Sequence, residues 1–87
     1  MKNEQAKSKP VAEVRLGNIR AAIWRNESES GPWFNVTFER SYREGKEYRS
    51  SFGFGRDDLL TLAKAADLAH TRIFELQQEN RPTSDSE

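Results

Sequence analysis

Between Val11 and Phe54 the apolar residues fall at every second position, and after Arg56 they fall at every third or fourth. Alternation is the period of a half-buried strand and the wider spacing that of one helix face, so the chain divides into a β half followed by a helix. In "VAEVRLGNIRAAIW" the pair Gly17-Asn18 suits a two-residue hairpin turn. Pairing outward from it sets Leu16 opposite Ile19, Val14 opposite Ala21 and Ala12 opposite Ile23. One face of this hairpin is then apolar throughout, while the other carries Glu13, Arg15, Arg20, Ala22 and Trp24.

"ESESGP" reads as a loop rich in breakers. "WFNVTFERSY" alternates again, with Phe34, Val36, Phe38 and Tyr42 inward and Trp33, Asn35, Thr37 and Glu39 outward. "REGK" reads as the next turn. "EYRSSFGFG" reads as a fourth strand with Tyr48, Phe52 and Phe54 on one face and Arg49 and Ser51 on the other, and Gly53 and Gly55 mark a bend or bulge near its end. Asp57 or Asp58 then caps a helix whose stripe Leu59, Leu62, Ala63, Ala66, Ala69, Ile73 and Leu76 continues to about Gln78. The expected fold class is α+β, a four-stranded antiparallel curved sheet followed by one long C-terminal helix (ββββα), filling residues 11–79. Residues 1–10 read as a disordered basic arm and residues 80–87 as a disordered acidic tail.

With 87 residues, of which 34% are apolar, the chain can bury only one modest core. A second copy would relieve that shortage. Leu60 and Leu68 lie off the main helical stripe, and with Ala69 and Ile73 they form the candidate dimer interface; the other reading is that the helix simply wraps its own sheet.

The composition excludes several chemistries. There is no cysteine, so disulfides and thiolate catalysis are out, and His70 is the sole histidine, which rules out a multi-histidine metal site. No metal and no cofactor is expected. No apolar run reaches the length of a membrane span, and "MKNEQAKSKP" lacks the apolar centre of a signal peptide, so a cytoplasmic location and no membrane partner are expected. Asp57-Asp58 could be a carboxylate pair, but capping explains it, and "GFG" lacks the glycine and lysine of a phosphate loop. No catalytic constellation emerges, so an enzyme is not expected.

The formal net charge of zero conceals a gradient: residues 11–56 carry eight Arg and Lys against six Glu, whereas residues 57–81 carry three basic against five acidic side chains. The first half could therefore face a polyanion. Arg15 and Arg20 fall opposite each other across the first hairpin, an unfavourable pair unless Glu13 or a bound anion offsets it. Trp24 and Trp33 lie on the face away from the apolar stripe, where arginines and open aromatic rings suit unstacked bases and their phosphates. The residues leave a second reading open, in which Trp24 packs at the sheet end and Trp33 covers a loop.

"VRLGNIRAAIWRN", "GPWFNVTFERSYREGKEY" and "FGFGRDDLLTLAKAADLA" together resemble the single-stranded-DNA-binding domain family of the transcriptional coactivator positive cofactor four and its bacterial relatives, and more distantly the Whirly and Pur-alpha repeats. The likeness covers about residues 13–74. It implies a homodimer that binds single strands, with Arg20 and Arg25 at the basic positions of the second strand and Asn35 in the third. Asn18 stands where that family tends to have lysine, and the acidic "NESES" replaces a basic, aromatic loop. The expected function is a single-stranded nucleic-acid-binding module, DNA ahead of RNA, using Arg15, Arg20, Trp24, Arg25, Trp33, Asn35 and Arg49. The alternative is a non-catalytic protein-interaction module using the same sheet face or an edge.

Overall fold

A computed structural model describes residues 9–79; most of the expected basic arm and all of the expected acidic tail lie outside the described residues. Four antiparallel strands in the order of the sequence form one sheet: β1 (Ala12–Leu16), β2 (Ile19–Ser28), β3 (Gly31–Glu44) and β4 (Glu47–Ser51). A 3-10 turn (Arg56–Asp58) leads into one helix, α1 (Leu59–Glu79). The ββββα fold is the one the change of period requires.

The β1–β2 register is the expected one, with Leu16 opposite Ile19, Val14 opposite Ala21 and Ala12 opposite Ile23. Gly17 turns with φ 60°, a conformation that costs a side-chain-bearing residue strain and glycine none. Asn18 ties this turn to β3, donating from Nδ2 to the Ser41 carbonyl (3.2 Å) while the Ser41 N–H donates to the Asn18 carbonyl (2.8 Å).

"ESESGP" is no loop. β2 continues to Ser28 and β3 begins at Gly31, leaving Glu29-Ser30 as a two-residue turn that Gly31 exits at φ 119°. The Ser28 hydroxyl closes it by donating to the Gly31 carbonyl at 2.7 Å. A side chain that holds its own turn allows tight hairpins in sequences that composition alone marks as loops.

β3 is the spine of the sheet. Its residues up to Arg40 pair with β2, and from Arg40 onward they pair with β4, so β3 and β4 extend past the β1–β2 turn as a two-stranded arm. The arm's pairing reverses one expectation. Tyr48 lies opposite Arg43 and Arg49 opposite Tyr42, which puts Arg49 on the side that α1 covers and Tyr48 on the open side. Tyr48 is expected to share a face with Phe52 and Phe54, but the strand ends at Ser51, Phe52 is exposed, and Phe54 reaches the core through the bend that follows.

α1 packs chiefly on β1 and β2 and reaches β3 only at its margin. Ile19, Ala21, Ile23, Ala65 and Ala69 form the buried centre, surrounded by half-buried residues that include Val14, Phe34, Val36, Phe38, Leu62 and Ile73. With alanine buried on both sides, the helix backbone approaches the sheet closely and little apolar volume is spent at the centre. The helix entry is pinned separately. The Asp58 carboxylate accepts the Gly55 N–H (3.0 Å) while the Asp58 N–H donates to the Gly55 carbonyl (2.9 Å), and Arg40 links Asp58 (3.6 Å) to the Gly53 carbonyl (2.9 Å). Asp58 is thus a capping residue.

Candidate nucleic-acid interface

No described element covers the sheet face opposite α1. Across β2 and β3 it carries a square of four side chains, because Trp24 lies opposite Asn35 and Asn26 opposite Trp33. The two indoles sit on one diagonal, where Cα atoms are about 7–8 Å apart in an antiparallel pair. On the other diagonal Asn26 Nδ2 donates to Asn35 Oδ1 at 2.7 Å. The arrangement is an amide floor between two rings.

The indoles differ in freedom. Trp24 Nε1 donates to Thr37 Oγ1 at 2.9 Å, which draws the ring along the sheet and away from Trp33. Ala22 lies between Arg20 and Trp24 on the same open face and is only 1% exposed, so Trp24 and its neighbours act as a lid over it. Trp33 has no such tie and stays 49% exposed. One ring is partly structural; the other is presented to solvent.

Next to the aromatic square the face is electrostatically closed. Arg20 donates to Glu13 (2.9 Å) and Glu39 (3.1 Å), and Arg15 sits 3.7 Å from the same Glu13. The repulsion between Arg15 and Arg20 is therefore offset by carboxylates on their own sheet, without any external anion. The hydrogen bond from Arg20 holds the Glu13 carboxyl below its ordinary range, aided by the charges of Arg20 and Arg15 and opposed by desolvation. The hydrogen bond to Glu13 in turn raises the Arg20 guanidinium further.

The remaining candidate arginines lie elsewhere. Arg25 pairs opposite Phe34 and is held by Glu27 at 2.9 Å, on the side of the sheet that α1 packs against. This pairing also turns the Glu27 carboxylate away from the aromatic square, although the sequence put it in an acidic loop beside the indoles. Arg49, on the same side, contacts Glu44 (2.6 Å) and Glu47 (3.3 Å). The structure thus brings together Arg15, Arg20, Trp24, Trp33 and Asn35 and separates Arg25 and Arg49 from them.

Of the candidate dimer residues, Ala69 is buried and Ile73 half-buried against their own sheet, Leu68 is half-buried, and Leu60 alone is fully open at 85%. Leu59 and Phe74 are also exposed on α1. A shallow groove of about 430 Å³ lies beside Leu60, lined by Leu16, Gly17, Asn18, Thr61 and Lys64.

Residues that sequence reasoning passed over are Asn26, which completes the amide floor, Thr37, which anchors Trp24, and the facing pair Arg43 and Tyr48. Symmetry about a two-residue Gly45-Lys46 turn would have found the last pair, by the rule used for Gly17-Asn18. Among the described residues no group of three or more His, Asp or Glu could hold a metal ion, and no helix is long and apolar enough to cross a membrane. No protein-family model matches this chain, and neither the curated proteins nor the solved structures yield a match.

Proposed function

We propose that this protein binds single-stranded nucleic acid on the open sheet face, as a non-catalytic module. The observation that carries this reading is the Trp24, Asn26, Trp33, Asn35 square on a face that no described element covers. Stacking on an indole is worth about 1–3 kcal/mol per base and tolerates any base, while amides between the rings can pair with an exposed base edge. A duplex keeps its base faces stacked and so offers nothing for the indoles to stack on. The resemblance of residues 13–74 to the positive-cofactor-four family points the same way.

Titration with oligothymidine at low and moderate salt tests the proposal. Tryptophan fluorescence should be quenched on binding, affinity should fall with salt, and a duplex of equal length should bind more weakly. Absence of binding to tens of micromolar protein at low salt would refute it.

A second reading, a protein-docking module, is favoured by one observation: among the described residues only Arg43 of the arginines lacks a carboxylate partner within 4 Å. It requires tryptophan fluorescence indifferent to oligonucleotides and association that tolerates salt.

The closed arginine cluster gives a further expectation. Glu13→Gln removes the carboxylate shared by Arg15 and Arg20, so oligothymidine should bind more tightly and the slope of log affinity against log salt should steepen by up to about 0.7 per freed cation. Acidification acts in the same direction. Because the Glu13 pKa is lowered in the fold, its stabilising contribution is present above the ordinary carboxylate range and is lost as pH falls through the lowered value. An unchanged salt slope in Glu13→Gln would show that the Arg15–Arg20 cluster lies off the binding path.

A further inference from the structure

The arm formed by the end of β3 and by β4 has two chemically different sides. On the α1 side, Arg49 is neutralised by Glu44 and Glu47. On the open side, Arg43 and Tyr48 face each other across the strands, followed by the pair Ser41 and Ser50. The Arg43 guanidinium carbon lies 5.6 Å from the centre of the Tyr48 ring, and its Nε donates to the Gly45 carbonyl at 3.2 Å. These contacts engage the guanidinium through its Nε and place its carbon over the Tyr48 ring, which leaves the two terminal nitrogens as donors without a carboxylate among the described residues. Tyr48 is 74% exposed, so most of the residue remains in solvent despite the arginine over its ring. An exposed tyrosine with a preoriented arginine is poor packing for a small domain and good chemistry for a nucleotide: the guanidinium matches a phosphate in fork geometry and the ring accepts a base.

We propose that Arg43 and Tyr48 form a second docking point for the same single strand, with Arg43 holding a phosphate and Tyr48 stacking the adjoining base. This inference rests on the single-strand reading of the open face and extends it into a path. Trp33 and Arg43 are ten residues apart on one continuous strand and share its open face. At about 3.3 Å per residue they are separated by up to about 33 Å, the span of about ten stacked nucleotides at 3.4 Å each. Between them lie Asn35, Thr37, Glu39 and Ser41. Glu39 is engaged by Arg20 at 3.1 Å, so the middle of the path is polar without an unpaired carboxylate facing the strand. The geometry describes two anchors joined by a neutral track, so the length of the strand decides whether both can engage.

The test is a titration of the full chain with oligothymidines of five, ten and fifteen nucleotides, carried out on the wild-type protein, Tyr48→Ala and Arg43→Gln, with circular dichroism confirming the fold of each variant. Wild-type affinity should rise by about tenfold or more between five and ten nucleotides, beyond the statistical gain of extra registers, and then level off. In Tyr48→Ala most of that step should vanish. In Arg43→Gln the salt slope with the ten-nucleotide strand should fall by about 0.7. If the wild type binds but both variants keep the full step and the full slope, the second docking point is wrong and the open-face reading stands. If the wild type binds no oligothymidine, both fall together.

Discussion

Ile23→Ala should destabilise the domain by about 2–5 kcal/mol, enough to leave much of the population unfolded at physiological temperature. Ile23 is fully buried, sits opposite Ala12 on one side and Val36 on the other, and is, among the described residues, one of only two large side chains with almost no exposure; the second is Ile19. The rest of the buried core is alanine, which cannot expand to fill the space. The cavity would open where α1 rests on β1 and β2, so the loss should affect helix and sheet together. In a domain of this size each kcal/mol moves Tm by roughly 4–8 °C, which thermal or urea unfolding reads easily. Leu60→Ala, at an 85% exposed position, should stay within about 0.5 kcal/mol of wild type as a monomer. Equal losses in the two variants would mean that the core is not centred on β2.

Trp33→Ala should weaken oligothymidine binding by about five- to a hundredfold with little change in stability, because the ring contributes exposed stacking area and no hydrogen bond to the fold. Trp24→Ala should behave differently. It removes the bond to Thr37 and uncovers Ala22, so stability should fall along with affinity. The contrast separates a ring presented for contact from one that also seals the sheet. Equal affinity of Trp33→Ala and wild type, with both folded, would remove stacking on Trp33 from the mechanism.

Local rules reach furthest outward from a turn. The Gly17-Asn18 turn fixed the β1–β2 register residue by residue, and alternation through β3 correctly divided Phe34, Val36 and Phe38 from Trp33, Asn35 and Thr37. Parity does not extend across a break. Phe52 to Gly55 leave strand geometry, so the alternation of Phe54 says nothing about Tyr48 and Arg49. The helix posed another difficulty. Of the expected stripe, Leu62, Ala69, Ile73 and Leu76 pack on the sheet, but Leu59, Ala63 and Ala66 are exposed and Ala65, off that stripe, is fully buried, because alanine at 63, 65, 66 and 69 leaves the direction of the apolar face open. Charge was the least legible property. Alternation places arginines on the open face, but whether they meet a ligand or a neighbouring carboxylate depends on cross-strand partners: Glu39 lies nineteen positions from Arg20 and still binds it.

That distribution of charge sets the character expected of the interface. With Arg15 and Arg20 held by Glu13 and Glu39, the proposed function predicts affinity mainly from aromatic stacking at Trp33 and Trp24, with a modest electrostatic share from Arg43. Salt dependence should accordingly be shallow for a nucleic-acid-binding protein, since only uncompensated cations release counterions.

The central claim is that single strands bind across the face opposite α1. It is tested most directly by following the backbone, indole and side-chain amide resonances of the isotope-labelled protein during titration with a ten-nucleotide oligothymidine. The open-face reading requires shifts at the indoles of Trp24 and Trp33, at the amides of Asn26 and Asn35, and along β3 toward Arg43, with α1 largely unmoved. Shifts confined to α1, or none at saturating oligonucleotide, would contradict it.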